Sequence, residues 1–317
     1  MTIYSGSKTN TLQPITRVGW GILLIVACLL LTTQAKAHTL VRHCTSPVNP
    51  YIVGLISIAL SYSDEQLIES RQAKDCSQLR QLDMLLQGEL DLMWAGTTQE
   101  LESKLIPIRV PVYKGPMGHR VFLASQQAVN RLKKVESLAQ LKAFSLGQGD
   151  EWSDTKILKH AGFNVVTGTR YNNMFDMLAL GRYELFPRAA HEVWKEAALW
   201  QERGIVVDKS IMLVYPMPAY IFVSPKNPEL AKMLEYGLNQ AINDGSFDAY
   251  FYADAEVKAA LENTDFNSRK VFLLENPYLS DKTPLSDKRM WLNTMAFFSQ
   301  APTADTSTPT VLENPQP

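Results

Sequence analysis

The chain has 317 residues, of which 46% are hydrophobic and 20% are charged, a composition typical of a globular protein with room for two domains. Its 31 basic and 32 acidic residues give a net charge of -1, and no basic patch interleaved with aromatic residues occurs. The sequence therefore argues against a nucleic-acid partner.

The first 37 residues have the features of a secretory signal peptide. Lys8 and Arg17 precede the apolar run 18–31, and an Ala-Lys-Ala cleavage motif follows. We predict that this segment is cleaved, that the exported chain begins at His38 and that it resides in the periplasm. An uncleaved anchor is the first alternative, although the run is short for a span of roughly 20 residues. A lipoprotein is the second, with Cys28 after a lipobox-like sequence but followed by leucines instead of a polar tether.

Two cysteines remain after cleavage, Cys44 and Cys76. An even pair in an oxidising compartment indicates a disulfide, which would stabilise the chain by roughly 3–4 kcal/mol in the chain-entropy model. The alternative is a pair of buried thiols.

Short apolar runs alternate with amphipathic runs from residue 39 onward. The proline-interrupted run 105–112 indicates an edge segment, and the Pro- and Thr-rich tail 299–317 indicates disorder. The predicted strands are 39–44, 67–70, 90–94, 118–124, 144–146, 163–166, 183–186, 204–208, 211–215, 220–224 and 271–274. The predicted helices begin after Asn49, Ser77, Ser137 and Asn227 and cover 153–161, 171–180, 189–197 and much of 247–261.

Two segments of the chain resemble each other. Residues 82–95 match residues 175–188 at a constant offset, and each segment has the pattern helix, glycine, strand, with Gly88 opposite Gly181. The match is short enough to arise by chance. If it is real, the chain contains two lobes of similar build.

Alternation of strands and helices predicts parallel sheets, in which ligands bind at the carboxyl ends of the strands. Those ends here are residues 147–149, 167–168 and 187–188. Arg188 directly follows an apolar strand, where an unpaired charge would be costly to bury. It is therefore the first candidate ligand contact, with Glu192 beside it. The alternative is a structural salt bridge between these two residues.

Other candidates lie at the same or neighbouring strand ends. Trp94 and Trp152 would stack on a ligand or pack in the core, and Gln148 lies in a tight glycine-bounded turn. Thr97 and Thr98 would donate hydroxyl groups or cap a helix. Arg120 lies within a strand. The candidate ligand contacts are Trp94, Thr97, Thr98, Arg120, Gln148, Trp152, Arg188 and Glu192.

Acidic residues follow the Gln148 turn. Asp150, Glu151 and Asp154 would contact a cationic group or favour the start of a helix, with capping the preferred role for Asp154. The five histidines do not cluster at metal-ligand spacing, and an amino-terminal copper site at His38 is a remote alternative. No nucleophile or metalloprotease motif occurs, so we predict no catalysis, no cofactor and no metal.

Several stretches resemble the type II periplasmic solute-binding proteins of the amino-acid-binding branch: LLQGELDLMWAGT, GQGDEWSD, MLALGRYELFPR and the return segment from PAYIFVSPKNPELAK onward. The resemblance covers roughly residues 38–275. It implies two α/β lobes, each a mainly parallel sheet flanked by helices, that hinge over a ligand. The family's usual arginine is missing from the stretch 99–104, and its usual aspartate is replaced around Arg188. Arg109, Arg120 or Arg188 would then supply the guanidinium group for a carboxylate.

The predicted organisation is a signal peptide (1–37), a first lobe (38–122 and 218–298), a second lobe (123–217) and a tail (299–317). The predicted function is capture of a small polar, carboxylate-bearing solute by a monomer for an ABC-type transporter. A sensory or interaction module that signals to a membrane receptor is the alternative, and an enzyme on the same fold is a third, less favoured class.

Overall fold

A computed structural model describes residues 1–2, 38–44, 49–63, 66–71 and 77–292. The chain divides into two compact units, 1–37 and 38–317. The predicted signal peptide, Cys76 and the predicted tail lie outside the described residues, so the expectations for them stay predictions. None of the described helices is long and apolar enough to cross a membrane.

Eleven described helices surround the sheets, and their ends follow local sequence signals. The Ser77 hydroxyl accepts a hydrogen bond from the Arg80 N–H, and the Asn227 side chain accepts one from the Leu230 N–H. The helices are α1 (Pro50–Ser61), α2 (Gln78–Gln87), α3 (Gln99–Lys104), α4 (Gln126–Leu132), α5 (Leu138–Leu141), α6 (Ser153–His160), α7 (Tyr171–Ala179), α8 (Val193–Trp200), α9 (Pro228–Asp244), α10 (Ser246–Ala253) and α11 (Ala255–Asn263).

Twelve described strands form three sheets. The strands are β1 (His38–His43), β2 (Gln66–Arg71), β3 (Leu92–Gly96), β4 (Ile106–Ile108), β5 (His119–Ser125), β6 (Ser145–Gly149), β7 (Asn164–Gly168), β8 (Leu185–Ala189), β9 (Ile205–Val207), β10 (Ile211–Val214), β11 (Ala219–Val223) and β12 (Lys270–Leu273). Strands β1 and β2 form a parallel pair. The smaller sheet has the order β3-β11-β4. The larger sheet has the order β12-β10-β5-β8-β6-β7, with β9 on β5.

Parallel pairs join β6 to β7 and β8, and β10 to β12. The pairs made by β5 and β11 are antiparallel, unlike those of the mainly parallel sheets expected. The reason is that β5 and β11 carry the chain from one sheet to the other and run against their neighbours. Strand β12, which lies in the range 218–298, pairs with β10 of the larger sheet.

Clusters of apolar side chains lie on both faces of the smaller and the larger sheet, which explains why the central strands β5, β8, β10 and β11 are buried along nearly their whole length. In β5, Val121 and Leu123 pack into one cluster of apolar side chains, whereas Phe122 and Ala124 pack into another. The smaller sheet divides its residues in the same way, with Ile221 on the face covered by α1 and α9.

The two similar segments of the sequence form the same local structure. Helix α2 is followed by Gly88 and strand β3, and helix α7 is followed by Gly181 and strand β8. Both glycines have positive φ, +80° and +66°, which glycine adopts without strain. The offset that aligns the sequences also aligns Leu92–Gly96 with Leu185–Ala189. The match therefore reflects one supersecondary unit used twice.

Candidate functional site

Three neighbouring strands of the larger sheet bring predicted ligand contacts together. Arg120 lies in β5, Gln148 in β6 and Arg188 in β8, and all three are buried. Strands β6 and β8 extend further than predicted, to Gly149 and Ala189, so Gln148 and Arg188 are strand residues. The carboxyl ends of β6 and β8 thus carry polar side chains inside the protein.

Arg188 is held by two carboxylates. Its Nε and Nη2 donate to the Glu196 carboxylate at 2.7–3.0 Å, and Nη2 lies 3.0 Å from Glu192 Oε2. Glu196 also accepts a hydrogen bond of 2.6 Å from the Tyr171 hydroxyl. Burial lowers the pKa of Arg188, but the two carboxylates outweigh it and raise the pKa well above its usual value. The predicted alternative, a salt bridge to Glu192, is present, and Glu196 extends it.

Aromatic rings surround the same guanidinium group. Its central carbon lies 4.8 Å from the Trp152 ring centroid, 5.0 Å from Phe186 and 5.7 Å from Tyr171. The Trp152 ring also lies against Gly149, where an added Cβ would be 2.4 Å from the indole. Glycine at that position therefore lets the indole reach Arg188, and cation–π attraction adds to the ion pairs.

A second polar group lies next to the first. Arg120 Nη2 is 2.9 Å from Asp154 Oδ2, which also accepts hydrogen bonds from Gln148 Nε2 at 3.1 Å and from the Tyr215 hydroxyl at 3.2 Å. Arg120 Nη1 lies 3.9 Å from Glu192, so that carboxylate links the two groups. Gln148 is fully buried, and its Oε1 has no hydrogen-bond partner among the described residues. Asp154 therefore binds an arginine instead of capping α6.

We call these residues the polar network: Arg120, Gln148, Asp154, Arg188, Glu192, Glu196 and Tyr215. Two guanidinium groups and three carboxylates give it a formal charge of about -1. Burial favours a higher pKa for Glu192, but the guanidinium groups of Arg188 and Arg120 and a hydrogen bond from the Ala189 N–H lower it overall. Glu192 is the most exposed of the three carboxylates, at 28% of its side chain against 3% for Asp154 and 6% for Glu196.

The polar network lies beside contacts that connect elements of the two sheets. The Ser153 hydroxyl donates to the Gly96 carbonyl at 2.6 Å, and the Leu79 N–H donates to Glu151 Oε2 at 2.9 Å. The ring of His191 stacks on Tyr113 with centroids 4.0 Å apart. The end of β3 and the start of α2 therefore meet the start of α6.

His191 is buried between charged groups. Glu192, Arg120, Arg188 and Asp254 all act on it electrostatically, but burial is the largest influence and lowers its pKa to about 4. Its imidazole is therefore neutral at pH 7.

Of the eight predicted contacts, four belong to the polar network, Trp152 packs against Arg188, and the other three lie elsewhere. Trp94 packs in the core beside His43, with ring centroids 5.8 Å apart. The Thr97 hydroxyl donates to Glu102 Oε1 at 2.7 Å, and Thr98 caps α3 by accepting a hydrogen bond from the Leu101 N–H. These are the structural roles that the sequence left open for Trp94 and Thr98.

Three residues that contact Arg188 or Asp154 are not among the predicted ligand contacts. Tyr171 is the first residue of α7, Tyr215 follows β10, and Glu196 lies one helical turn after Glu192. The sequence does contain a signal for Glu196: it lies four residues after the candidate Glu192, and residues four apart share a helix face. The described residues contain no group of three side chains suited to a metal ion.

No protein-family model matches the chain, and no curated protein sequence matches it. Solved structures do match. An amino-acid ABC transporter substrate-binding protein from Streptococcus pneumoniae, bound to L-arginine, has a TM-score of 0.52 and 15% identity over 71% of this chain and 95% of its own. An ABC transporter binding component from Wolinella succinogenes, complexed with lysine, has a TM-score of 0.52 and 14% identity over 70% and 98%. A Salmonella typhimurium periplasmic binding protein with high arginine specificity has a TM-score of 0.50 and 15% identity over 71% and 98%.

At such low identity these similarities establish the fold and nothing finer. The chain has the two-lobe α/β fold of type II periplasmic binding proteins, as its sequence motifs predicted.

Proposed function

We propose that this protein is a periplasmic solute-binding protein that captures a small polar, carboxylate-bearing solute beside the polar network and delivers it to an ABC-type transporter. The observation that carries the proposal is the burial of four charged side chains, Arg120, Asp154, Arg188 and Glu196, with the half-buried Glu192, beside neighbouring strands of one sheet. Removing charges from water costs several kcal/mol per ion, and a paired buried network is often no more stable than apolar side chains of the same volume, so stability alone gives little reason to gather them there. Such clusters are characteristic of functional sites.

The position of the polar network supports the same proposal. It adjoins the contacts between Ser153 and Gly96 and between Glu151 and α2, where elements of both sheets approach each other. In open α/β sheets ligands bind beyond the carboxyl ends of the strands. Gln148 Oε1 and the exposed part of Glu192 provide acceptors there, and Arg188 provides a cation beside them.

The test is thermal unfolding of the purified exported chain with a library of amino acids and organic acids. A solute present at 100 times its Kd stabilises the folded state by about 2.7 kcal/mol. A carboxylate-bearing solute should raise the Tm, and Glu192→Gln should strengthen its binding because a competing negative charge beside Arg188 is removed. Glu229→Gln, an exposed change in α9, is the matched control. Absence of stabilisation by every solute would contradict the proposal.

A sensory or interaction module is the second candidate, and one observation favours it. Each arginine of the polar network is already paired with the chain's own carboxylates: Arg188 with Glu192 and Glu196, and Arg120 with Asp154. A module of this kind would hold its shape without a solute. Small-angle scattering distinguishes the two candidates. A solute-binding protein should contract when its solute is added, whereas the module should give the same radius of gyration with every solute tested.

A further inference from the structure

A cavity of about 470 Å³ lies beside helix α3, and none of the residues lining it belongs to the polar network. Its walls come from α3, from the residue that follows β4, and from the segment after residue 279. The residues used below are Gln99, Glu102, Ser103, Arg109, Asp281 and Lys282. Its volume is within the range of about 300–1,000 Å³ that is usual for small-molecule sites.

Hydrogen bonds hold the walls of this cavity in place. The Gln99 N–H donates to the Tyr278 carbonyl at 2.9 Å, and Gln99 Nε2 donates to the Leu279 carbonyl at 2.8 Å. The next residues form tight turns, in which the Lys282 and Thr283 N–H groups donate to Ser280. The cavity is therefore formed before any ligand arrives, which lowers the entropic cost of binding.

Arg109 is oriented with one edge of its guanidinium group unused. Its Nε and Nη2 donate to Glu102 Oε2 at 3.0 and 2.7 Å, and Glu102 Oε1 accepts from the Thr97 hydroxyl. Glu102 is 5% exposed, so its carboxylate is committed to these two partners. Arg109 is 31% exposed, and its Nη1 has no partner in the part of the chain that the structure describes.

The charges that remain point to one class of ligand. Once Glu102 is paired with Arg109, the cavity presents the open guanidinium edge of Arg109, the exposed ammonium group of Lys282 and the exposed carboxylate of Asp281. We propose that the cavity is a second binding site, for a small zwitterion of amino-acid size. The ligand's carboxylate binds Arg109 and Lys282, and its ammonium group binds Asp281. Ser103 and Gln99 supply further polar contacts.

The experiment is an NMR titration of the purified exported chain with three probes. L-alanine carries both charges, N-acetyl-L-alanine lacks the ammonium group, and L-alaninamide lacks the carboxylate. L-alanine should shift the backbone signals of residues 99–109 and 280–282 and should bind more tightly than the other two probes. Arg109→Gln should weaken binding at least tenfold, roughly the value of a charge-assisted hydrogen-bond pair.

Two further variants keep the result independent of folding. Arg109→Gln leaves Glu102 without its cation and lowers stability, whereas Lys282→Gln changes only an exposed side chain. Lys282→Gln should weaken the binding of L-alanine by about fivefold. Lys232→Gln in α9 is the matched control and should leave the affinity for L-alanine unchanged. Absence of L-alanine-dependent shifts would overturn the proposal. So would an affinity for L-alanine in Arg109→Gln and Lys282→Gln that equals the affinity of the unchanged protein. Shifts confined to the polar network would also overturn it, while leaving the proposed solute-binding function intact.

Discussion

Replacing Glu196 by glutamine tests whether the polar network depends on charge. Glu196 is 4% exposed and accepts hydrogen bonds from Arg188 Nε and Nη2 and from the Tyr171 hydroxyl. Glu196→Gln keeps the volume of the side chain but removes its charge and turns one acceptor into a donor facing the guanidinium group. Breaking a buried ion pair on one side costs about 3–5 kcal/mol, because the partner charge is left uncompensated.

Glu192 reduces this loss. Its Oε2 stays 3.0 Å from Arg188 Nη2, so the guanidinium group keeps one carboxylate. We therefore expect the free energy of unfolding to fall by about 3 kcal/mol, at the lower end of the range. For a domain of this size that is a fall in Tm of about 6–12 °C. Urea unfolding measures the free energy and thermal unfolding measures the Tm, both followed by circular dichroism.

Two more variants make this test decisive. Glu229→Gln breaks an exposed pair with Lys232, in which both side chains are more than 70% exposed, and should cost less than about 0.5 kcal/mol. The double change Arg188→Met and Glu196→Leu removes both charges and should be at least as stable as Glu196→Gln alone, because no uncompensated cation is buried. A loss below about 1 kcal/mol in Glu196→Gln would refute the reasoning.

The remaining predictions concern other parts of the fold. Because the pKa of His191 is lowered to about 4 in the folded state, its contribution to stability is present above pH 6.5 and is lost as the pH falls toward 4, by up to about 3 kcal/mol. His191→Phe keeps an aromatic ring and should flatten the pH dependence of the urea midpoint; an unchanged slope would contradict the prediction. Gly237→Ala should destabilise the folded protein by about 1–3 kcal/mol, because the added Cβ would lie 1.9 Å from the Ala59 carbonyl oxygen. Alanine favours helices more than glycine does, so a higher Tm would count against this prediction. If Cys44 and Cys76 form a disulfide, the non-reduced mass should be about 2 Da lower than the reduced mass, and reduction should cost about 3–4 kcal/mol.

Helix ends with a capping residue were the most predictable part of the fold, because their signals are local, whereas the helix predicted over 189–197 begins at Val193 because Ala189 belongs to β8. Helix α9 begins after Asn227 and ends before Gly245, as the capping pattern predicted. Strand ends were less predictable. Strand β8 continues through Pro187 and Arg188 to Ala189, although the sequence predicts an end at Phe186. Proline and arginine usually end a buried strand, and only partners distant in sequence make them acceptable within one.

The residues that belong to the polar network were easier to predict from the sequence than the ion pairs and hydrogen bonds that join them. The sequence indicates Gln148, Arg188 and Glu192 because they lie at or near strand ends, and Arg120 from its position within a strand. Their partners come from elsewhere in the chain: Asp154 binds Arg120 across 34 residues of sequence, and the Tyr215 hydroxyl joins the same carboxylate. No local pattern encodes such a pair. It depends on which strands lie side by side, and that order is set by packing of the whole sheet.

The two candidate functions differ in whether Arg188 must release a carboxylate. A solute carboxylate that binds Nε or Nη2 would have to replace one of the chain's own carboxylates, since both already contact those atoms. Glu196 is buried and held by Arg188 and the Tyr171 hydroxyl, so displacing it would leave several donors unpaired. Glu192 is more exposed and contacts the same group through one oxygen, so it is the carboxylate that water or a solute can replace at lower cost. The proposed solute binding therefore exchanges the Glu192 contact for a solute contact, whereas the sensory alternative keeps it, and the affinity of Glu192→Gln for a carboxylate solute separates the two.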